Sequence, residues 1–105
     1  MLVAAAILLW AGQPAVADTP TGNELLSDCR AQQRGFCLGF VMGYIQGISN
    51  WQATEKRCFF KIPIGVTVSQ AVLVVQKYMA VHPERLHEYS DALIDAAIHE
   101  AFPCK

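Results

Sequence analysis

The groups of this chain with chemistry to offer are four cysteines, three histidines and a series of spaced carboxylates. Cys29, Cys37, Cys58 and Cys104 could serve as nucleophiles, metal ligands or disulfide partners. An even cysteine count in a short chain behind an apolar leader reads as two disulfides, and therefore as an oxidising compartment. With all four paired, no reactive thiol is expected. His82 and His87 are five residues apart and so lie off one helical face, and no His-Glu-x-x-His pattern places His99 beside a metal. A Gly-rich phosphate loop and a Ser-centred elbow are also missing. No catalytic, cofactor-binding or metal-ligating residue is therefore expected, and the chain reads as a binding protein rather than an enzyme.

Binding chemistry has two candidate seats. Lys56, Arg57 and Lys61 interleave with Phe59 and Phe60, a mixture of Arg and aromatic side chains of the kind that forms interaction hot spots. Glu84, Glu88, Asp91 and Asp95 fall at i, i+4, i+7 and i+11. On one continuous helix they would form an acidic stripe able to steer a basic partner. The overall formal charge is only −1, so there is no broad basic field for nucleic acid.

These side chains need a scaffold. Leu2 to Ala11 form an apolar run, broken by Gly12 and Pro14, and Ala15-Val16-Ala17 supplies an A-x-A cleavage site. Residues 1–17 are thus expected to be a signal peptide, with Asp18 the first residue of the exported protein, although no Lys or Arg precedes the run. The run is too short to span a bilayer, which needs about 20 residues. Residues 18–105 remain as one small helical domain of a size that disulfides commonly reinforce.

Within that domain the expected fold is all-α, a four-helix up-down bundle. Thr21-Gly22-Asn23-Glu24 is a capping box that opens a short first helix carrying Leu25, Leu26 and Cys29. The polar segment from Arg30 to Gly35 is a turn. A second helix runs from about Phe36 to Thr54, with Phe40, Tyr44, Ile48 and Trp51 at three- and four-residue spacing. Gly39, Gly43 and Gly47 form a ridge along it, which would let another helix of the bundle approach closely. Cys58 to Val66 is a loop containing Pro63 and Gly65, and Thr67-Val68-Ser69-Gln70 caps a third helix that ends near Val81. That helix is apolar on more than one side, through Leu73, Val74, Tyr78 and Val81 as well as the Val68–Met79 stripe, which points to deep burial or to a partner. Pro83 opens the fourth helix, which buries Leu86, Leu93, Ala97, Ile98 and Phe102.

The layout also chooses among the three possible disulfide connectivities. Cys37 and Cys58 sit near opposite ends of the second helix, roughly 30 Å apart at about 1.5 Å per residue. A disulfide needs Cα atoms about 5–6 Å apart. In an up-down bundle Cys29 and Cys37 flank one turn, and the fourth helix brings Cys104 to the end where Cys58 lies. The expected pairs are Cys29–Cys37 and Cys58–Cys104.

The second half carries a recognisable pattern: Cys58-Phe59, Ile62-Pro63, Val66-Thr67, Gln70, Tyr78, His82-Pro83-Glu84-Arg85-Leu86-His87 and Ala101-Phe102-Pro103-Cys104. Upstream stand Cys37, Gly39 and Gly43-Tyr44-Ile45-Gln46-Gly47. Over about residues 22 to 104 the chain resembles the Rap/Tai-type immunity proteins of Gram-negative bacteria. The resemblance implies a small periplasmic helical protein that binds and blocks a peptidoglycan amidase delivered by type VI secretion. Some members of that family act as dimers, which makes a homodimer one expectation here, and no cofactor is expected. The shared residues are mostly framework, so the resemblance assigns no interface residue. Outside the resemblance stand two other readings: an acid-stress periplasmic chaperone of the Hde type, which exposes apolar surface at low pH, and a structural envelope component.

Overall fold

A computed structural model describes residues 19–30 and 34–104. The expected signal peptide and the connection through 31–33 lie outside the described residues. Four helices follow one another: α1 (Gly22–Arg30), α2 (Arg34–Glu55), α3 (Val68–Val81) and α4 (Ser90–Ala101), with a 3₁₀ turn at Pro83–Arg85. No strand occurs among the described residues. The fold is all-α, as expected, and both expected disulfides are present. Cys29 and Cys37 are joined with Cα atoms 5.0 Å apart, and Cys58 and Cys104 at 6.1 Å.

Local chemistry accounts for the helix starts. Thr21 and Glu24 cap α1 reciprocally: the Thr21 N–H donates to Glu24 Oε1 at 2.9 Å, and the Glu24 N–H to Thr21 Oγ1 at 3.3 Å. Thr67 and Gln70 repeat the arrangement at α3, with distances of 3.3 and 3.1 Å. Each box satisfies two backbone N–H groups that a helix start leaves without partners. The core then forms from one stripe of each helix: Leu25 and Cys29 of α1, Cys37, Val41 and Ile45 of α2, Val72, Val75 and Met79 of α3, and Leu93, Ile94, Ala97 and Ile98 of α4. Burying a side chain of the Val, Leu, Ile or Met type contributes about 1.5–3 kcal/mol. On α2 the residues Phe40, Tyr44 and Ile48 flank the buried stripe and are only partly covered, while Trp51 is exposed.

Two expectations are corrected. The fourth helix does not begin at Pro83. Pro83–Arg85 is a 3₁₀ turn and the helix starts at Ser90, because the backbone between them is used elsewhere. The carbonyls of Leu86 and Glu88 accept the N–H groups of Asn23 and Gly22 at 2.9 Å each, and the Ser90 N–H donates to Pro20 at 2.8 Å. These carbonyls complete the start of α1, so they point across to another segment rather than along a helix of their own. Leu86 consequently packs against the core from the turn, and Phe102 from just past the end of α4, both only partly buried.

The second correction concerns the glycine ridge. None of the described helices approaches it: among the described residues, a Cβ built at Gly39, Gly43 or Gly47 would meet nothing within 4 Å. The close approach occurs instead at Gly22, where a Cβ would overlap Leu93 Cδ1 and lie 3.2 Å from the Leu86 backbone.

Candidate functional site

The loop between α2 and α3 is held at three points. Helix α2 ends with Lys56 in the left-handed conformation, at φ 55°, and the Arg57 N–H donates to the Gln52 carbonyl at 3.2 Å. This is the 6→1 closure of a Schellman cap, with lysine at the position glycine usually takes. The Gln52 side chain then receives the N–H groups of both Phe59 and Phe60, the latter at 2.9 Å. Beyond it the Lys61 N–H donates to the Phe102 carbonyl at 2.9 Å, beside the Cys58–Cys104 bond. A tight turn follows, with the Val66 N–H donating to the Pro63 carbonyl at 3.3 Å and Gly65 at φ 104°. Positive φ at that position is what a type II turn demands, and it is why glycine stands there.

This backbone sorts the expected contact residues. Lys56, Arg57, Phe59 and Lys61 are exposed, and none of the three cations makes an ion pair among the described residues. Phe60 is a correction: it is 5 % exposed and packs in the core, so it closes the end of the bundle and is not free to meet a partner. Phe59 turns the other way and lies against Trp51, ring centroids 4.9 Å apart. Ile64, at the tip of the turn, is fully exposed. Sequence reasoning missed it, although the Pro63-Ile64-Gly65 triplet carries the signal: Pro and Gly mark a turn, and turns run over the surface.

The acidic stripe does not exist as one helical face. Glu84 lies in the 3₁₀ turn and Glu88 before α4, so only Asp91 and Asp95 share the helix. Glu88 is engaged by Arg85, whose Nε and Nη2 donate to its two oxygens at 2.8 Å each. Arg85 also donates to the Tyr78 hydroxyl and lies 5.8 Å from that ring's centre. Its bond to Glu88 holds the Glu88 carboxyl below its ordinary range. Glu84 is held low as well, first by a backbone hydrogen bond and then by His82, whose Nδ1 lies 3.2 Å away. The cluster fixes the turn and leaves Asp91 and Asp95 apart, facing α2. Burial pushes the Asp95 carboxyl up, and it likewise raises Tyr44, to which both aspartates add.

Two further faces stay open. Leu73 and Val81 of α3 are more than half exposed, so the surplus apolar surface of that helix is not consumed by the core. A groove of about 320 Å³ runs between α3 and α4, lined among others by Val74, Tyr78, Val81 and Ala97. No group of three or more His, Cys, Asp or Glu side chains among the described residues is arranged to hold a metal. No described helix is long and apolar enough to cross a membrane.

The described residues thus form a small helical scaffold stapled by disulfides, with a restrained loop that presents unpaired cations and exposed apolar side chains. The model of the Rap1a immunity proteins matches residues 21–104, and the chain belongs to that family. Comparison with curated proteins and with solved structures gave no match. The protein therefore has the role of an immunity protein, and its partner is a protein effector.

Proposed function

We propose that this immunity protein acts in the periplasm, where it binds a peptidoglycan amidase delivered by type VI secretion and blocks its active site. The loop from Lys56 to Val66 is the main contact element, with Arg57, Phe59, Lys61 and Ile64 as its anchors. The observation that carries this reading is the restraint of that loop. Three backbone ties and a disulfide hold it, yet its cations make no ion pair among the described residues and two apolar side chains, Phe59 and Ile64, stay exposed. A pre-ordered loop loses little conformational entropy when it docks, which favours tight association. The paired cysteines agree with an oxidising compartment. Blocking by contact asks for no catalytic residue and no cofactor in this chain. Self-association through one of the open apolar faces belongs to the same proposal, and sedimentation equilibrium decides it.

The test is a titration. Oxidised protein is used to capture cell-wall hydrolases from periplasm, and the captured amidase is assayed with increasing amounts of the protein. Activity should fall to its floor at one equivalent, and Phe59→Ala or Ile64→Ala should weaken inhibition by more than about 1 kcal/mol. Full amidase activity at saturating protein would reject the reading. Unchanged inhibition by both variants would remove the loop from the interface.

A further inference from the structure

Phe59 of the loop and Asp95 of α4, far apart in sequence, line one cavity. It measures about 280 Å³ and is bounded by Ile48, Trp51, Phe59 and Asp95. One wall is the Trp51–Phe59 pair, the rings tilted 37° to each other and each still 39 % exposed. Ile48 supplies apolar lining from α2, and the Asp95 carboxylate is the polar group at the edge. Among the described residues Asp95 makes no ion pair and no hydrogen bond. The ionisable groups around it are Asp91 and His99 of α4 and Tyr44 of α2. Asp91 carries the same sign and Tyr44 offers no positive charge. His99 favours the ionised Asp95, yet burial outweighs it and the carboxyl is pushed up.

The shape and charge of this cavity select its occupant. An anion would meet the Asp95 carboxylate, with the like charge of Asp91 nearby. A neutral apolar group would cover the rings and leave the carboxylate further from water, at a cost. An ammonium is compact and strongly hydrated, and gains least from an aromatic wall. A guanidinium is planar and weakly hydrated; it stacks on an indole face while its N–H groups reach a carboxylate. We propose that this cavity receives an arginine side chain of the protein partner, stacked on Trp51 and hydrogen-bonded to Asp95. The assignment rests on the reading that a partner docks at the loop end of the molecule, and it adds a basic anchor on that partner to the cationic and apolar anchors of the loop.

The experiment has two arms so that the cavity and the docking reading fail separately. In the first, N-acetyl-arginine amide is titrated into the oxidised protein while the Trp51 indole N–H and Asp95 carboxyl resonances are followed. The expected result is a saturable shift at both, absent with the isosteric neutral N-acetyl-citrulline amide and weakened roughly fivefold or more by Asp95→Asn. No saturable shift at Trp51, or equal shifts with N-acetyl-citrulline amide, overturns the proposal. In the second arm, the inhibited amidase is titrated with Asp95→Asn and Trp51→Ala, and each should weaken inhibition at least tenfold. Wild-type inhibition by Asp95→Asn overturns the proposal and leaves the docking reading intact. Arginine binding without any inhibited amidase supports the cavity and rejects the amidase.

Discussion

Three glycines stand in the middle of α2 with none of the described residues against them, and replacing them is expected to stabilise the protein. A glycine inside a helix costs about 0.8–1.0 kcal/mol relative to alanine, because the unfolded chain has more freedom to lose. The gain is usually reduced by crowding at the new methyl, but a Cβ at Gly39, Gly43 or Gly47 meets nothing within 4 Å. Each alanine should therefore deliver nearly the full amount, and the triple variant about 2.5–3 kcal/mol if the sites add. For a domain of this size each substitution corresponds to roughly 4–8 °C in Tm. Gly22→Ala supplies the opposite sign from the same chemistry, since its Cβ would overlap Leu93 and press on the Leu86 backbone. It should destabilise by about 1–3 kcal/mol. Urea unfolding of the oxidised protein, with the m-value checked for constancy, reads all four variants. A drop in stability for any of the three α2 variants would refute the reasoning, because it would mean that the face is covered.

Other substitutions test other joints. Lys56→Gly removes the strain of a left-handed lysine at the α2 cap and should stabilise by about 0.5–1 kcal/mol in the same urea assay. Removing the Cys58–Cys104 bond, which closes 46 residues, should cost about 4 kcal/mol by the chain-entropy model, and hydrogen exchange should rise first in the loop it anchors. Glu88 is held low by Arg85, so its stabilising contribution is present above the ordinary carboxylate value of 4.5 and is lost as pH falls through the lower folded value. Glu88→Gln should narrow the stability difference between pH 7 and pH 3, as measured by thermal unfolding. Asp95 has the opposite sign: its raised folded value gives a contribution that is lost as pH rises through the carboxylate range. Asp95→Asn should therefore be more stable than wild type at pH 7 and equal to it at pH 3. At that acid pH the protein should stay compact and bind little hydrophobic dye; strong dye binding would favour the chaperone reading.

The helices α1 to α3, both capping boxes and both disulfides were legible in the sequence because each depends on signals a few residues apart. A Thr-x-x-Glu or Thr-x-x-Gln box is local chemistry, and the cysteine pairing followed once helix lengths were known. The arrangement of the candidate contact residues was not legible, for the same reason in reverse. The spacing of Glu84, Glu88, Asp91 and Asp95 is helical in the sequence, but residues 86–90 spend their backbone groups on α1 and the segment before it, some sixty residues earlier. That pairing delays α4 to Ser90. It breaks the stripe into a structural pair, Arg85–Glu88, and two aspartates aimed at α2. The loop divides in the same way. Phe59 and Phe60 are adjacent and alike in type, yet both N–H groups bind one Gln52 oxygen, which orients the pair so that one ring enters the core and the other lies on Trp51. Neither division has a plain sequence signature: the first is decided by backbone groups on a remote segment, the second by one side-chain oxygen a few residues back in α2. The two divisions converge on one place. The aspartate left unpaired on α4 and the phenylalanine left outside the core line the same cavity, so one residue from each of two candidate seats that look independent along the chain borders a single pocket.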